Sequence, residues 1–414
     1  MLSDLRFSTD YTQLLEQLRH TTRLLLIQDL DGVCMGLVRD PRTRALAPDY
    51  VRAARALQGE FYVLTNGEHI GSRGVNRLVE QALGEHMTPD SYLPGLGAGG
   101  VQWQEADGTV VHPGVSAQEL AFLEAVPRRL RQLLTPLLSQ PPFALDPARL
   151  QHLLEMTILD NPVSPTLNIN GFTGDLDHDW QRMLALQKAV KQLMKQLLAE
   201  AAAAGLDDSF FLHVAPNLGQ GPDGERVKWA SDDDLGTTDF QFMLNGAVKE
   251  VGVLVILNRY YHRLTGHYPL GENFNAREAP RDHQRLLELA RRHFDPALMP
   301  RILGVGDTVT SQPDPTHRHR QLRGGSDRGF LTLVQALGQA FDSDNAVLFV
   351  DSSGGELKRP AIDPHRLRDS TQCWQAVWGI TDADDPLRLN AVFPKGHPQY
   401  VSFFCQLAEV RRQR

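Results

Sequence analysis

The stretch LLLIQDLDGVCMGLV, residues 24–38, decides the fold. Residues 24–27 are all Leu or Ile, the composition of a strand buried on both faces of a parallel sheet, and Gly32 lets the chain turn sharply just beyond it. The run ends in DxDG, which sets Asp29 and Asp31 two residues apart at a strand tip. In α/β sheets ligands bind outside the carboxyl ends of the strands, where paired acids can share a metal ion and divide the work of nucleophile and proton carrier. Asp and Gly are also ordinary turn formers, and the pair alone reads equally as a turn. The choice rests on whether complementary residues recur at other strand tips.

Working outward, EFYVL precedes Thr65, RILGVG precedes Asp307 and NAVLFV precedes Asp351, each a short aliphatic run followed by Gly, Ser, Thr or Asn. Helical spacing at 48–58 and 72–83 supplies crossovers, and strands alternating with helices predict a parallel α/β sheet whose tips share one edge. Between about Pro94 and Asn245 the pattern changes. VQWQEADGTVVH alternates around Asp-Gly as a hairpin does, helical stretches follow at 117–138 and 179–204, and FFLHVAP and TTDFQFML read as strands. The expectation is a core split in two, residues 1–95 and 245–414, with an α+β domain inserted at 96–244.

Bulk properties exclude several classes. With 414 residues, 42% apolar and 22% charged, the chain has the composition of a globular protein of two or three domains. A net charge of −8 without a dominant Lys/Arg block argues against a nucleic-acid or anionic-membrane surface. Cys34, Cys373 and Cys405 lack CxxC spacing, which argues against a disulfide framework or zinc site and agrees with a reducing, cytoplasmic compartment. The N-terminus lacks a hydrophobic signal core, and the longest apolar run, VGVLVIL at 251–257, is too short to span a bilayer.

The tips of the other strands and helices do carry complementary chemistry. Thr65 in YVLTNGEH offers a hydroxyl, with Asn66 and the following backbone N–H groups, to a phosphoryl oxygen; TNG is also a good turn. Lys249 opens an amphipathic helical stretch, where a lysine is commonly solvated, and Asp307 in LGVGDTVTSQPD is a ligand-facing acid or a helix N-cap. Together these residues make a phosphoryl-transfer set: an aspartate nucleophile needs a cation, a second acid for the leaving oxygen, and donors for the transferring oxygens. Hard oxygen ligands with positions left for water and phosphate suit Mg²⁺ rather than zinc. GLGAGG at 95–100 matches GxGxxG by letter but opens a hairpin pattern rather than a helix, and His317 and His319 lie in a polar loop. In the insert, His213, Asn217, Thr238 and Asp239 stand near strand ends, where they could bind sugar hydroxyls or make structural hydrogen bonds. Arg323 and Arg328 could meet phosphate or face water.

In this order Asp29, Asp31, Thr65, Lys249 and Asp307 resemble the four motifs of the haloacid dehalogenase superfamily of phosphatases. The resemblance implies a Rossmann-like core, attack by Asp29 on phosphorus to give an aspartyl phosphate, and Asp31 as the general acid that later activates water. It further implies phosphoryl binding by Thr65, Asn66 and Lys249, and Mg²⁺ held by the Asp29 carboxylate, the Asp31 main-chain carbonyl and the Asp307 carboxylate. The short Asp31–Thr65 interval and the long Thr65–Lys249 interval place the cap domain after the second motif. One departure stands out. Where many sugar phosphatases carry a second acid in the fourth motif, this chain has Ser311, and Ser311 itself, Asp314, Asp327 or Asp351 could take over that role.

A closer resemblance, spanning almost the whole chain, is to the glucosylglycerol-phosphate phosphatase family of cyanobacteria. It is carried by QDLDGVCM, FYVLTNGEH, YLPGLGAGGVQWQ, GTTDFQFML, VKEVGV, GVGDTVTSQ, GGSDRGFL and VDSSGGE. This implies a hydrolase for 2-O-(α-D-glucosyl)-glycerol 3-phosphate, acting in compatible-solute synthesis under salt stress and functionally coupled to a glucosylglycerol-phosphate synthase. The alternatives are a phosphatase for trehalose or sucrose phosphate, a mutase, and a non-catalytic sugar-phosphate-binding regulator.

Overall fold

A computed structural model describes residues 1–413 apart from 177, 178, 233, 318 and 370–372. Arg318, between His317 and His319 of the polar loop, thus lies outside the described residues. The first strands are β1 (Leu24–Gln28), β2 (Phe61–Leu64), β3 (Gly95–Gly97), β4 (Gln102–Gln104) and β5 (Val110–Val111). In the middle of the chain follow β6 (Ile158–Leu159), β7 (Thr166–Asn168), β8 (Phe210–Ala215), β9 (Asn217–Gly221), β10 (Gly224–Val227) and β11 (Asp239–Leu244). The last are β12 (Arg301–Gly306), β13 (Thr310–Pro313), β14 (Gln321–Gly324), β15 (Ala346–Val350) and β16 (Ala391–Phe393).

The large sheet has the order β16-β15-β12-β1-β2-β3-β4-β5, with β1 at its centre between β12 and β2. All pairings from β16 to β3 are parallel, and only β3-β4 and β4-β5 are antiparallel. β1 is aliphatic throughout because each face of the sheet needs half of it: Leu25 and Ile27 enter one apolar cluster, Leu24 and Leu26 the other. The first cluster includes residues of the helices Lys249–Thr265 and Arg328–Phe341; the second includes residues of Pro48–Ala56 and His397–Arg412. Burying each of these Leu and Ile side chains contributes roughly 1.5–3 kcal/mol. A polar substitution at Leu26 would remove that gain in the middle of the sheet.

A second sheet, β6-β7-β11-β8, is wholly antiparallel. Its β11 alternates in polarity over Asp239–Phe242, although every residue after Asp239 is buried. Phe240, Phe242 and Leu244 are fully buried, Phe242 stacking with Phe122 from the helix Ala117–Leu138, while Asp239 and Gln241 fall on the opposite face. That polar face looks back toward the tips of the large sheet.

Three observations depart from the expected layout. The 101–112 hairpin forms, but it extends the large sheet rather than the inserted one, because β3 pairs with β2 and carries β4 and β5 along. The segment after Asp307 is a hairpin, β13 with β14, whose polar TSQP and QLRG strands carry no alternating pattern. β16 adds a further parallel edge strand of only three residues. No helix among the described residues is long and apolar enough to cross a membrane.

Candidate active site

Asp29, Thr65 and Asp307 follow directly on β1, β2 and β12, three neighbouring parallel strands, so the sheet itself gathers them at one edge. Gly32 makes the approach possible. It adopts φ +79°, and a Cβ there would lie 2.1 Å from Asp307 Oδ2, a distance no side chain could tolerate.

Lys249 is the first residue of the helix Lys249–Thr265 and is only 3% exposed. A cation at a helix N-terminus opposes the helix dipole, and its burial needs strong compensation. Two carboxylates supply it: Nζ donates to Asp29 Oδ2 at 2.7 Å and to Asp327 Oδ1 at 2.7 Å. Burial on its own would lower the Lys249 pKa, but these two acids hold it above the usual lysine range. The other Asp29 oxygen accepts the Leu30 N–H at 2.8 Å, fixing the carboxylate plane. Burial pushes Asp29 up to about 7 against the pull of Lys249. Thr65 is 2% exposed, its hydroxyl accepting the Gly67 N–H at 3.2 Å.

Asp327 is fully buried at the start of the helix Arg328–Phe341. Its second oxygen accepts the N–H groups of Asp307 (2.9 Å) and Thr308 (3.0 Å). It therefore pins the Asp307 loop to Lys249. Ser311 does not occupy this place. The chain has already turned into the β13–β14 hairpin there, and the Ser311 hydroxyl donates to Asp382, which also receives the Arg323 fork at 2.8 and 2.6 Å. Asp314 accepts the Thr316 N–H and hydroxyl in its own turn, Asp351 accepts the N–H groups of Ser353 and Ile362, and Arg328 pairs with Asp385. Of the four stand-ins weighed from sequence, Asp327 alone joins Asp29 and Asp307 in a carboxylate cluster.

One oxygen from each of Asp29, Asp307 and Asp327 lies within 4.8 Å of the others. Asp307 Oδ2 is buried and has no hydrogen-bond partner, and burial together with the neighbouring Asp327 and Asp29 charges raises its pKa well above the carboxylate range. Three carboxylates face a single ammonium. An all-oxygen set with one unused buried oxygen and surplus negative charge suits a hard divalent cation.

Asp29 and Asp307 form the floor of a cleft of about 150 Å³, with Asp327 and Lys249 buried behind them. Asp31 stands at its wall, the more open of the two motif acids, with Arg44 Nη1 3.1 Å from Oδ2. The opposite wall comes from the second sheet: Thr166, Asn168, Asn170, Asp239 and Gln241 line it, with Arg359 nearby. Asp239 accepts from the Asn168 amide at 2.8 Å, and burial pushes it up to about 6 against the pull of Arg359. The remaining inserted-domain candidates make hydrogen bonds within the fold. Asn217 satisfies the N–H groups of Gly219 and Gly325, each at 3.0 Å, and Thr238 is buried with its N–H on Ala215. His213 bridges the Asn66 amide (2.8 Å) and Glu225 (2.9 Å). Burial would lower the His213 pKa, but Glu225 outweighs it and raises it. Sequence reasoning missed Arg44, Glu68, Asn170, Gln241 and Arg359. Glu68 sits three residues past Thr65 and accepts the Val163 N–H, the Ser164 hydroxyl and the Gln102 amide, each at 2.8 Å.

A parallel sheet presenting acids at neighbouring strand tips beneath an inserted sheet is the arrangement that the resemblance to haloacid dehalogenase-type phosphatases led us to expect. Residues 23–408 match the model of the family described as glucosylglycerol-phosphate phosphatase. Over 417 aligned residues the chain is 50% identical to the glucosylglycerol-phosphate phosphatase of Synechocystis, covering 100% of this chain and 99% of that protein. The chain belongs to the glucosylglycerol-phosphate phosphatase family. Among solved structures, the C-terminal domain of a C. albicans trehalose-6-phosphate phosphatase aligns over 98% of this chain and 99% of its own, at 12% identity and a TM-score of 0.48. An Aspergillus fumigatus trehalose-6-phosphate phosphatase aligns with the same coverage at 10% identity and a TM-score of 0.39.

Proposed function

We propose that this chain is a Mg²⁺-dependent phosphatase that hydrolyses glucosylglycerol 3-phosphate through an aspartyl phosphate on Asp29. The observation that carries this reading is the buried Asp29–Lys249–Asp327 chain, which reaches the cleft floor at Asp29 with the unpartnered Asp307 oxygen beside it. The family relationship supplies the substrate.

On this reading Asp29 attacks phosphorus from a carboxylate held by Lys249 and the Leu30 N–H, and needs little reorganisation to reach it. Thr65, Asn66 and Lys249 receive the phosphoryl oxygens. Asp29, the Asp31 main-chain carbonyl and Asp307 would hold Mg²⁺, with Asp327 orienting the Asp307 loop. Bound there, the cation would neutralise the charge shared by carboxylates and phosphate. Asp31, steered by Arg44, protonates the leaving glycerol oxygen and then takes the proton of the water that cleaves the intermediate. Residues from about Ser116 to Leu244 form the lid, while the preceding hairpin remains part of the core. The lid excludes water from the reacting carboxylate.

The test is phosphate release from glucosylglycerol 3-phosphate with and without Mg²⁺, beside trehalose and sucrose phosphates. Equal or faster release from a disaccharide phosphate would replace the substrate assignment, and release independent of divalent cation would end the metal assignment.

A further inference from the structure

The lid side of the cleft holds side-chain amides that the fold leaves unused. Asn170 is 1% exposed, yet neither its Oδ1 nor its Nδ2 has a partner; Gln241, on β11, is buried with Oε1 likewise unpartnered. Both line the cleft. Their neighbour Asn168 shows what a structural amide does in the same place: it accepts the Asn170 N–H at 3.1 Å and donates to Asp239 at 2.8 Å. An unsatisfied buried amide is destabilising, and an apolar residue of the same shape would avoid that cost. Two of them in one cleft wall are explained by a ligand that completes them.

The chemistry of that wall specifies the ligand. An amide offers a donor and an acceptor side by side and no charge, the complement of a hydroxyl, which donates once and accepts once. Of the cationic groups there, Arg44 pairs with Asp31 and Arg73 with Asp160, while Arg359 donates to the Gly236 carbonyl. We infer that Asn170 and Gln241 are specificity-determining residues that hydrogen-bond hydroxyls of a neutral polyol in the leaving alcohol, the part of the substrate farthest from phosphorus. This inference rests on the proposed reading of the cleft as the phosphatase site.

The experiment compares kcat/KM on glucosylglycerol 3-phosphate and on glycerol 3-phosphate, which lacks the glucosyl hydroxyls, for wild type, Asn170→Leu and Gln241→Met. Each variant should lose about tenfold or more on the glucosylated substrate and less than about twofold on glycerol 3-phosphate. Tm should hold or rise, because the amide desolvation cost is relieved while volume is kept; a structural amide would give the reverse. If either apolar variant fails to fold, Asn170→Ala and Gln241→Ala, which remove the amide without placing a charge in the wall, are read by the same ratio. Parallel loss on both substrates, loss on neither, or a fall in Tm with intact selectivity overturns the inference. A wild type that releases phosphate from no glycosyl phosphate sinks the underlying reading and this one with it. A wild type that does so, with variants of unchanged ratio, sinks this one alone.

Discussion

The floor and the roof of the cleft satisfy their polar groups in opposite ways. On the floor, Asp327 takes three donors and Asp29 two, the lysine between them is held by both carboxylates, and Asp307 Oδ2 alone is left open beside those charges, where a cation would sit. On the roof, the Asn170 amide has no partner and the Gln241 carbonyl none. The difference follows from cost. A buried charge without a partner is far more expensive than a buried amide without one, so the catalytic groups must be organised by the protein before any ligand arrives. Recognition groups are cheap enough to leave open. Pre-organisation on the floor and incompleteness on the roof then separate chemistry from selectivity.

Substitutions should fall along that divide. Asp29→Asn, which removes the attacking carboxylate while keeping its shape, is expected to cut phosphate release by at least about a thousandfold on every substrate. Turnover near wild type would end the covalent mechanism. Asp327→Asn should come next, weakening Mg²⁺ dependence roughly 10- to 100-fold in a metal titration of activity, because it loosens the Asp307 loop rather than a reacting atom. A titration curve superimposed on wild type would remove Asp327 from the site. Arg44→Met leaves Asp31 without its cation and should lower kcat about tenfold; an unchanged kcat would show that Arg44 only lines the wall.

The smallest effect belongs to the border between the two regions. Burial raises Glu68 from the ordinary 4.5 to about 7, against three hydrogen bonds that favour its charged form. A raised folded-state value means that ionisation opposes folding. The associated stability is therefore fully present below about pH 4.5 and is lost as pH rises through about 7. Glu68→Gln has no such titration. Its Tm, compared with wild type near pH 5 and near pH 8, should gain a few degrees on the alkaline side relative to the acid side. A difference between the two proteins that is the same at both pH values would mean Glu68 does not titrate in this range.

The same divide governs what could be read from sequence. Asp29, Thr65 and Asp307 were legible because a phosphoryl-transfer site needs particular residue types at strand ends, and buried parallel strands announce their own ends. Lys249 was legible only with the others in hand, since a lysine opening a helix is ordinarily solvated. Asp327 was one of four candidates, and nothing in the spacing favoured it: the β13–β14 hairpin that returns the chain to Asp307 has polar strands too short to show a period. On the roof, sequence pointed to His213, Asn217 and Thr238, which the fold uses for its own bonds, and to Asp239, which does line the cleft. Asn170 follows a short strand in a 3₁₀ turn, and Gln241 reads as one polar position in an alternating strand. Only the face they present gives them meaning. The hairpin at 101–112 was recognised as a hairpin but attached to the wrong sheet, because sequence does not say which neighbour a strand selects.

Glu68 and Asn66 belong to the loop that follows Thr65, and each is fastened to the far side of the cleft, Glu68 to Val163 and Ser164, Asn66 to His213. The segment that would grip phosphate is thus also the segment that grips the lid, with only Gly67 between the two fastenings. Swinging the lid open breaks these contacts or drags the loop with it, so release of the alcohol and loosening of the phosphate become one mechanical event. Backbone hydrogen exchange at residues 65–68 should then rise and fall with that at 163–164 across variants, and independent rates in the two segments would uncouple them.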